Sequence, residues 1–86
     1  MARRRYEPQK ELAAAVRQLR EGAGLKQSEL AARTGMSPSW LSKIESGDYD
    51  PSWGSVRLVA QGLGISTRTL AERFEAELAR GASERP

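Results

Sequence analysis

The sequence predicts a small all-α domain, and three observations support this fold class. Apolar residues recur at spacings of three and four, and no segment shows the alternation that is typical of a strand. Serine or proline precedes several of these segments, and glycine follows them, as at helix ends. With 86 residues, the chain makes one domain that buries only about 60% of its unfolded surface. The core must therefore be compact and mostly helical.

The first two helices are predicted from apolar spacing and from the glycines that follow it. Three apolar residues recur at helical spacing within residues 11–21, and Gly22 and Gly24 then end the pattern. A second, shorter helix is predicted over residues 27–34. Gly35 follows it at the position where helices commonly end in a left-handed conformation.

The third helix has a clear start and a clear end. Ser37 is a typical N-cap, and Pro38 suits the first helical position because its missing N–H would be unpaired there in any case. Gly47 ends the helix. We expect Met36, in the preceding turn, to fill the space beneath that turn.

Two further helices complete the predicted fold. Ser52 or Ser55 caps the fourth helix, which runs to Gly64, and we expect Gly54 and Gly62 to weaken it by roughly 1 kcal/mol each relative to alanine. Ser66 caps the fifth helix. An apolar stripe at four-residue spacing follows along that helix and comprises Leu70, Phe74 and Leu78.

The chain divides into an arm, a domain and a tail. Residues 1–10 are predicted to be a basic flexible arm, residues 11–80 the folded domain, and residues 81–86 a disordered tail. The arm carries the whole net charge of +3, because residues 11–86 hold ten basic and ten acidic side chains. The arm either contacts an anionic partner through Arg3, Arg4 and Arg5 or is only a solubilising tail.

Composition argues against several classes of function. The chain has no cysteine and no histidine, so disulfides, thiolate metal sites and the commonest general base are missing. We therefore expect no enzyme, no metal and no cofactor, and no small-molecule ligand is evident. Apolar runs are far shorter than the roughly 18–20 residues that span a bilayer, so we expect a cytoplasmic protein without membrane contact.

The second and third predicted helices form a helix-turn-helix arrangement, which makes specific steric demands. Ala31 is small where the following helix crosses at close range, and Gly35 supplies a positive φ in the turn. Leu41 and Ile44 are expected to bury against Leu30. The stretch "LKQSELAARTGMSPSWLSKIESGDYDPS" resembles the repressor-and-Cro type of helix-turn-helix protein, also called the xenobiotic response element family. The resemblance covers nearly everything from residue 12 to residue 70.

The third helix turns a small, polar face outward, and such a helix fits the major groove of DNA, which is about 12 Å wide. Lys43 can donate to guanine O6 and N7, the hydroxyls of Ser39 and Ser42 can donate or accept, and the Pro38 ring can contact a thymine methyl. We predict that these four residues contact base edges. Alternatively, each is an ordinary residue of a capped, solvated helix.

Further site residues are predicted to contact phosphates or to hold the helices together. The family resemblance implies that Gln27 anchors a backbone phosphate, and that Arg20 and Glu45 pair across the first and third helices. Trp40 shares a face with Ile44, so we expect it to be half-buried with its indole N–H directed at a phosphate. The full set of predicted phosphate contacts is Gln27, Ser37, Trp40, Ser46, Arg3, Arg4 and Arg5.

The predicted function is a sequence-specific, double-stranded DNA-binding transcriptional regulator, a repressor or autoregulator of a bacterium or phage that lies on the nucleoid when bound. We expect a homodimer joined through Leu70, Phe74 and Leu78 that reads an inverted repeat. The other reading of these residues is that Phe74 folds back over Leu63 and Leu70 as the last core residue and that Leu78 lies in a frayed end. The runner-up function is a protein-docking module of the same fold, such as an antitoxin-like or anti-regulator subunit. Exposed acids at Asp48 and Asp50 favour that alternative, in which a regulatory protein is the partner.

Overall fold

The computed structural model describes residues 8–83 of the chain, and helices account for its regular structure over that range. Five helices follow one another and are joined by short turns. They are α1 (Lys10–Gly22), α2 (Gln27–Thr34), α3 (Pro38–Ser46), α4 (Trp53–Leu63) and α5 (Thr67–Ser83). The all-α fold class and the five-helix architecture predicted from the sequence are confirmed.

The predicted boundaries of the arm and the tail are wrong by a few residues. Helix α1 begins at Lys10, and the N–H of Gln9 donates to the carbonyl of Gly47 at 2.8 Å, so both residues belong to the domain. Helix α5 continues to Ser83 rather than ending at residue 80. The arginines at positions 3–5 and residues 84–86 lie outside the described residues.

Local chemistry explains where the helices begin and end. The Ser37 hydroxyl accepts from the N–H of Trp40 at 3.2 Å, and the Ser52 hydroxyl accepts from the N–H of Ser55 at 3.1 Å. Of the two serines proposed to cap the fourth helix, Ser52 is therefore the cap. Gly35 ends α2 with φ +76°, the left-handed conformation predicted for it.

The core lies where α1 packs on α3, α4 and α5, and where α2 packs on α3 and α4. Leu30, Leu41 and Ile44 are all buried in it, as the sequence predicts. Met36 is not: its side chain is 38% exposed, so the prediction that it fills the space beneath the turn is wrong. The turn is held instead by Thr34, whose hydroxyl donates to the carbonyl of Ala31 at 2.7 Å and accepts from the N–H of Met36 at 3.1 Å.

Helix α5 lies along α1, which changes the role of the stripe on α5. Leu70 is buried in the domain core and Phe74 is partly buried against that core, so the two do not form the uncovered apolar stripe on which the predicted dimer depends. Only Leu78 remains largely exposed, at 43%. The alternative agrees with the structure in packing Phe74 against the core, but it is wrong about Leu78, which lies within α5 rather than in a frayed end.

Polar contacts hold the outer part of α5 against α1. Gln18 Nε2 donates to Glu77 at 2.9 Å, and the Arg73 guanidinium donates to Gln18 Oε1 at 3.1 Å. Hydrogen bonds from Arg80 and then from Gln18 hold the pKa of Glu77 below its usual value, because both favour the ionised carboxylate. The second half of α5 is thus tied to its own domain by side chains as well as by Phe74.

Helices α2 and α4 approach closely at Gly62, which is buried. A β-carbon added there would lie 2.9 Å from Leu30 Cδ1 and 2.9 Å from Thr34 Cγ2, well inside contact distance. Gly54, in the first turn of the same helix, has only the Ser52 hydroxyl near that position, at 3.7 Å. Both glycines are expected to weaken the helix, but only at Gly62 does close packing require the absence of a side chain.

We expect the same substitution to have opposite effects at these two glycines. Gly54→Ala should raise the free energy of unfolding by up to about 1 kcal/mol through helix propensity. Gly62→Ala should lower it by about 1 kcal/mol, because overpacking costs about 1–3 kcal/mol and outweighs the same gain. Urea denaturation of the two variants beside the wild type measures both effects. Equal stabilisation by the two alanines would show that α2 and α4 do not meet tightly.

Candidate nucleic-acid interface

Helix α3 separates its side chains cleanly into a buried set and an exposed set. Leu41, Ile44 and Glu45 are buried. The exposed face of α3, as we use the term, consists of the four residues predicted to contact bases: Pro38, Ser39, Ser42 and Lys43. With nine residues, the helix is about 14 Å long, and this face covers most of it.

The exposed face of α3 is chemically unoccupied. Within residues 8–83, the side chains of Ser39, Ser42 and Lys43 make no hydrogen bond or ion pair, so their donors and acceptors are available to a ligand. The structure places all four predicted residues on one surface, as base contact requires. Each side chain is small or long and flexible, so the backbone of α3 can approach a partner closely.

A charged pair between α1 and α3 fixes the orientation of that face. Arg20 Nε lies 2.7 Å from Glu45 Oε2 and its Nη2 lies 3.0 Å from Glu45 Oε1, so the guanidinium and the carboxylate make two parallel hydrogen bonds. Glu45 is only 4% exposed. The hydrogen bonds to Glu45 raise the pKa of Arg20 above its ordinary value, although partial burial opposes the rise. Arg20 thus remains charged at every physiological pH.

Three more contacts tie the same pair to its surroundings. Arg20 Nη1 donates to the carbonyl of Leu25 at 2.8 Å, which holds the turn between α1 and α2. Gln27 Nε2 donates to Glu45 Oε1 at 3.0 Å from the first residue of α2. Arg17 Nη1 donates to the backbone carbonyl of Glu45 at 3.0 Å and so satisfies one of the last carbonyls of α3. We call these residues, Arg17, Arg20, Gln27 and Glu45, the α1–α3 clamp.

The sequence does not predict the part that Gln27 and Arg17 take in this clamp. Gln27 was predicted to anchor a phosphate, but the structure gives one of its amide N–H groups an internal partner, so only the rest of the amide is available to a ligand. Arg17 carried no prediction. Its position one turn before Arg20 is the only signal in the sequence that could have suggested the contact.

Unlike the predicted base contacts, two of the predicted phosphate contacts, Ser37 and Ser46, have hydrogen bonds to the backbone. The Ser46 hydroxyl donates to the carbonyl of Lys43 at 2.7 Å and accepts from the N–H of Asp48 at 3.3 Å. The Ser46 hydroxyl thus bonds the backbone at the C-terminal end of α3, and its contact with phosphate stays a prediction. Ser37 is exposed, and although its oxygen accepts from the N–H of Trp40 to cap α3, its hydroxyl proton can still donate to a phosphate. Trp40 is half-buried against the core, with no hydrogen bond to its indole N–H within residues 8–83.

The end of α3 is fixed by a close backbone contact with α1. Gly47 has φ +85°, and a β-carbon there would lie 3.2 Å from Lys10 Cα, so both the conformation and the space favour glycine. The Gln9 to Gly47 hydrogen bond lies at the same place. The C-terminal end of α3 is thus held by α1 and by the residue that precedes α1.

The described residues lack the features of other common sites. No helix in residues 8–83 is long and apolar enough to cross a membrane. The same residues contain no group of three or more acidic, histidine or cysteine side chains that could hold a metal ion. The most distinctive chemistry on the described surface is therefore the exposed face of α3.

Fold and site together define a helix-turn-helix domain, with α2 and α3 as its two helices. Comparison with known families agrees: a family model described as a helix-turn-helix domain matches residues 11–74. The chain belongs to this helix-turn-helix family. Its members are DNA-binding domains without enzymatic activity, in line with the prediction that the chain is not an enzyme.

The relatives found by sequence are named only as helix-turn-helix-type transcriptional regulators. An uncharacterised helix-turn-helix-type transcriptional regulator of Mycobacterium bovis is 37% identical over 78 residues, which cover 85% of this chain and 30% of that protein. Another from Sinorhizobium fredii is 42% identical over 48 residues, covering 56% of this chain and 62% of that protein. The chain thus spans about a third of the length of the mycobacterial relative.

Solved structures with the same fold include two regulators. The crystal structure of the clp gene regulator ClgR from Corynebacterium glutamicum has a TM-score of 0.83 and 28% identity, covering 91% of this chain and 83% of that one. The restriction-modification controller protein C.Esp1396I, solved as a tetramer with its natural 35 base-pair operator, has a TM-score of 0.77 and 21% identity. That match covers 81% of this chain and 92% of that one and shows a common fold.

We expect a double-mutant cycle to reveal strong coupling between Arg20 and Glu45. Each alanine variant should lose about 3 kcal/mol of unfolding free energy, because the remaining partner is left charged in a largely buried site. The double variant should lose clearly less than the sum of the two. Urea denaturation of the four proteins measures this coupling.

Glu21 supplies a matched control for that cycle. Its carboxylate lies 3.9 Å from Arg20 Nη2, and its side chain is 63% exposed. The Arg20→Ala and Glu21→Ala pair should therefore couple by less than about 1 kcal/mol. If Arg20 couples no more strongly to Glu45 than to Glu21, the clamp does not hold α3 by charge.

Proposed function

We propose that this protein is a sequence-specific regulator of transcription that binds double-stranded DNA with α3 in the major groove. The observation that carries the proposal is the exposed face of α3, whose polar side chains have no partner among residues 8–83, while the opposite face is tied to α1. Membership of the helix-turn-helix family supports the same function. Such a protein acts in the cytoplasm, where bacterial or phage DNA is accessible.

The chemistry of α3 suggests how the bases are distinguished. Lys43, on the second turn, can donate to guanine O6 and N7, while Ser39 and Ser42 can pair with either donors or acceptors. The Pro38 ring offers an apolar contact for a thymine methyl. Because α3 is short, and its C-terminal end is hydrogen-bonded to α1 and to Gln9, the domain sets its angle in the groove.

We further propose that the protein acts as a homodimer on an inverted repeat, as a repressor or autoregulator. Two copies related by a twofold axis present their α3 helices to successive major-groove faces about 34 Å apart. The half-site centres are then about 10 base pairs apart. The structure of C.Esp1396I with its operator is that of an oligomer on DNA, which supports this arrangement for the shared fold.

Selection of bound sites from a random duplex library tests the proposed function. The expected result is an enriched inverted repeat with that spacing, bound with an affinity that falls steeply as salt rises because phosphate contacts release counterions. A shallower salt dependence after deletion of residues 2–7 would assign the three arginines of the arm to phosphate or minor-groove contact. If no sequence is enriched and salt has no effect, the protein does not bind DNA specifically.

The protein-docking alternative keeps one structural argument. Asp48 and Asp50 are exposed after α3 and have no hydrogen bond or ion pair through their side chains within residues 8–83. Acidic groups beside α3 weaken attraction to phosphate. Under this alternative, affinity for duplex DNA stays weak and unselective at every salt concentration, so the same selection experiment separates the two functions.

We expect Lys43→Ala to relax sequence specificity rather than to weaken all binding alike. Loss of a good base contact costs about 1–3 kcal/mol at one base pair of each half-site, while affinity for other sequences changes little. Fluorescence anisotropy with the selected site and with each single base change measures the effect.

Arg68→Ala is a suitable control for Lys43→Ala, because Arg68 is an exposed cation on α5, which packs on α1 and α4. This variant should leave the pattern of base preference unchanged. Uniform weakening by Lys43→Ala across all sequences would instead make Lys43 a phosphate contact.

A further inference from the structure

Trp53, the first residue of α4, is the most exposed large apolar side chain of residues 8–83. It is 74% exposed, compared with 43% for Leu78 and 37% for Tyr49. A tryptophan buries about 150–250 Å² when it is covered, so leaving it in water forgoes a large apolar contribution. Nothing in the helix-turn-helix geometry requires an aromatic side chain at this position.

Trp53 borders an apolar groove, which we call the Trp53 groove. It has a volume of about 180 Å³ and lies between the start of α1, the loop after α3, and helices α4 and α5. The apolar residues that line it with Trp53 include Leu12, Pro51, Val56, Leu70 and Phe74. Since a cavity of about 150 Å³ can hold benzene, this groove can accept an aromatic ring.

Charges of opposite sign lie near Trp53 in the sequence of the loop and of α4. Asp50 lines the Trp53 groove at the loop, and Arg57 follows Trp53 by one turn of α4. Both are exposed, and neither side chain has a hydrogen bond or ion pair within residues 8–83. A surface that carries both an acid and a base beside a tryptophan and an apolar groove is complementary to a copy of itself turned about a twofold axis.

We propose that the Trp53 groove is the dimer interface of this protein. The indole of each copy enters the groove of the other, and Asp50 of one copy faces Arg57 of the other. This interface differs from the one expected on α5, because Leu70 and Phe74 pack with the core and contribute only to the lining of the groove, which does not include Leu78. The link between this dimer and an inverted-repeat operator rests on the proposed function, whereas the dimer itself does not.

The areas involved fit a modest, reversible dimer. Two covered tryptophans supply about 300–500 Å², or roughly a quarter of the 1,200–2,000 Å² in a standard interface. Tyr49 and Pro51, in the loop beside Trp53, extend the apolar surface. The contribution of Trp53 is therefore large enough to decide between monomer and dimer.

Tryptophan fluorescence tests the position of the indole directly. The chain has two tryptophans, so Trp40→Phe leaves Trp53 as the sole emitter. Its emission maximum should move to shorter wavelength as concentration rises, over the same range in which sedimentation shows a dimer. A dimer without this shift overturns the proposal. A complete shift at concentrations where sedimentation shows only the monomer also overturns it, because the indole is then covered within one copy.

Substitution in the otherwise native chain gives an independent test. Trp53→Asp should raise the dissociation constant of the dimer at least tenfold without lowering the melting temperature of the domain, because Trp53 is mostly exposed. Leu78→Asp, at the other strongly exposed apolar residue, is the matched control and should leave the dimer intact. An unchanged dimer in Trp53→Asp overturns the proposal.

A charge exchange tests the predicted contact between the copies. Asp50→Arg and Arg57→Asp should each weaken the dimer, because each places like charges opposite one another. The double variant should recover most of the loss, since it restores opposite charges. If the two losses simply add, Asp50 does not face Arg57.

DNA binding by Trp53→Asp separates this inference from the proposed function. On a duplex with a single half-site the variant should bind as the wild type does, and on the inverted repeat it should lose the gain in affinity from dimerisation. Failure of the wild type to bind any duplex while it dimerises through Trp53 refutes only the DNA-binding function. Normal binding to the inverted repeat by a monomeric variant refutes only the role of this interface on the operator.

Discussion

The arrangement of this domain depends on the ion pair between Arg20 and Glu45. One bidentate contact joins α1 to α3, and the same two side chains also bond to the turn before α2 and to Gln27 at its start. A buried ion pair adds little net stability, because removing two charges from water costs about as much as their attraction returns. The pair matters here for geometry: two planar groups joined by two parallel hydrogen bonds restrict the angle between α3 and α1.

That constraint lets the two faces of α3 serve different purposes. Its buried face is fixed by Leu41, Ile44 and Glu45, so the exposed face has no structural duty and can carry small, polar side chains. Pro38 begins the helix and the Ser37 oxygen caps it, so the polar side chains of the exposed face are not needed to start α3. Changes at Ser39, Ser42 or Lys43 can therefore alter what the protein binds while leaving the fold unchanged.

Helix α5 and Trp53 show how packing redistributes apolar residues. The stripe on α5 has the spacing of an interface helix, yet α1 covers Leu70 and Phe74 and leaves only Leu78 outside. Trp53 is in the opposite situation: it begins a helix whose buried residues come later, and within residues 8–83 its side chain stays 74% exposed. An apolar residue in a periodic stripe can be covered by its own domain, and an apolar residue outside any stripe can still contribute to a binding surface.

The sequence alone determined the helices, their caps and the division of α3, because these depend on interactions between residues a few positions apart. Helical spacing placed all five helices, and the glycines at positions 35 and 47 marked two ends correctly. The faces of α3 follow from 3.6 residues per turn, so Lys43 and Glu45 could be assigned to opposite sides. The pairing of Arg20 with Glu45 came from family resemblance rather than from spacing.

Only the tertiary structure decided which contacts join residues far apart in the chain. Arg17 reaches the end of α3 across 28 positions, Gly62 meets α2 at close range, and Phe74 turns inward because α1 lies beside α5. Local periodicity indicates that a residue contacts an apolar or charged neighbour, but it does not show which helix supplies that neighbour. That choice depends on how the five helices pack at once, so the destination of α5 and the exposure of Trp53 appear only in three dimensions.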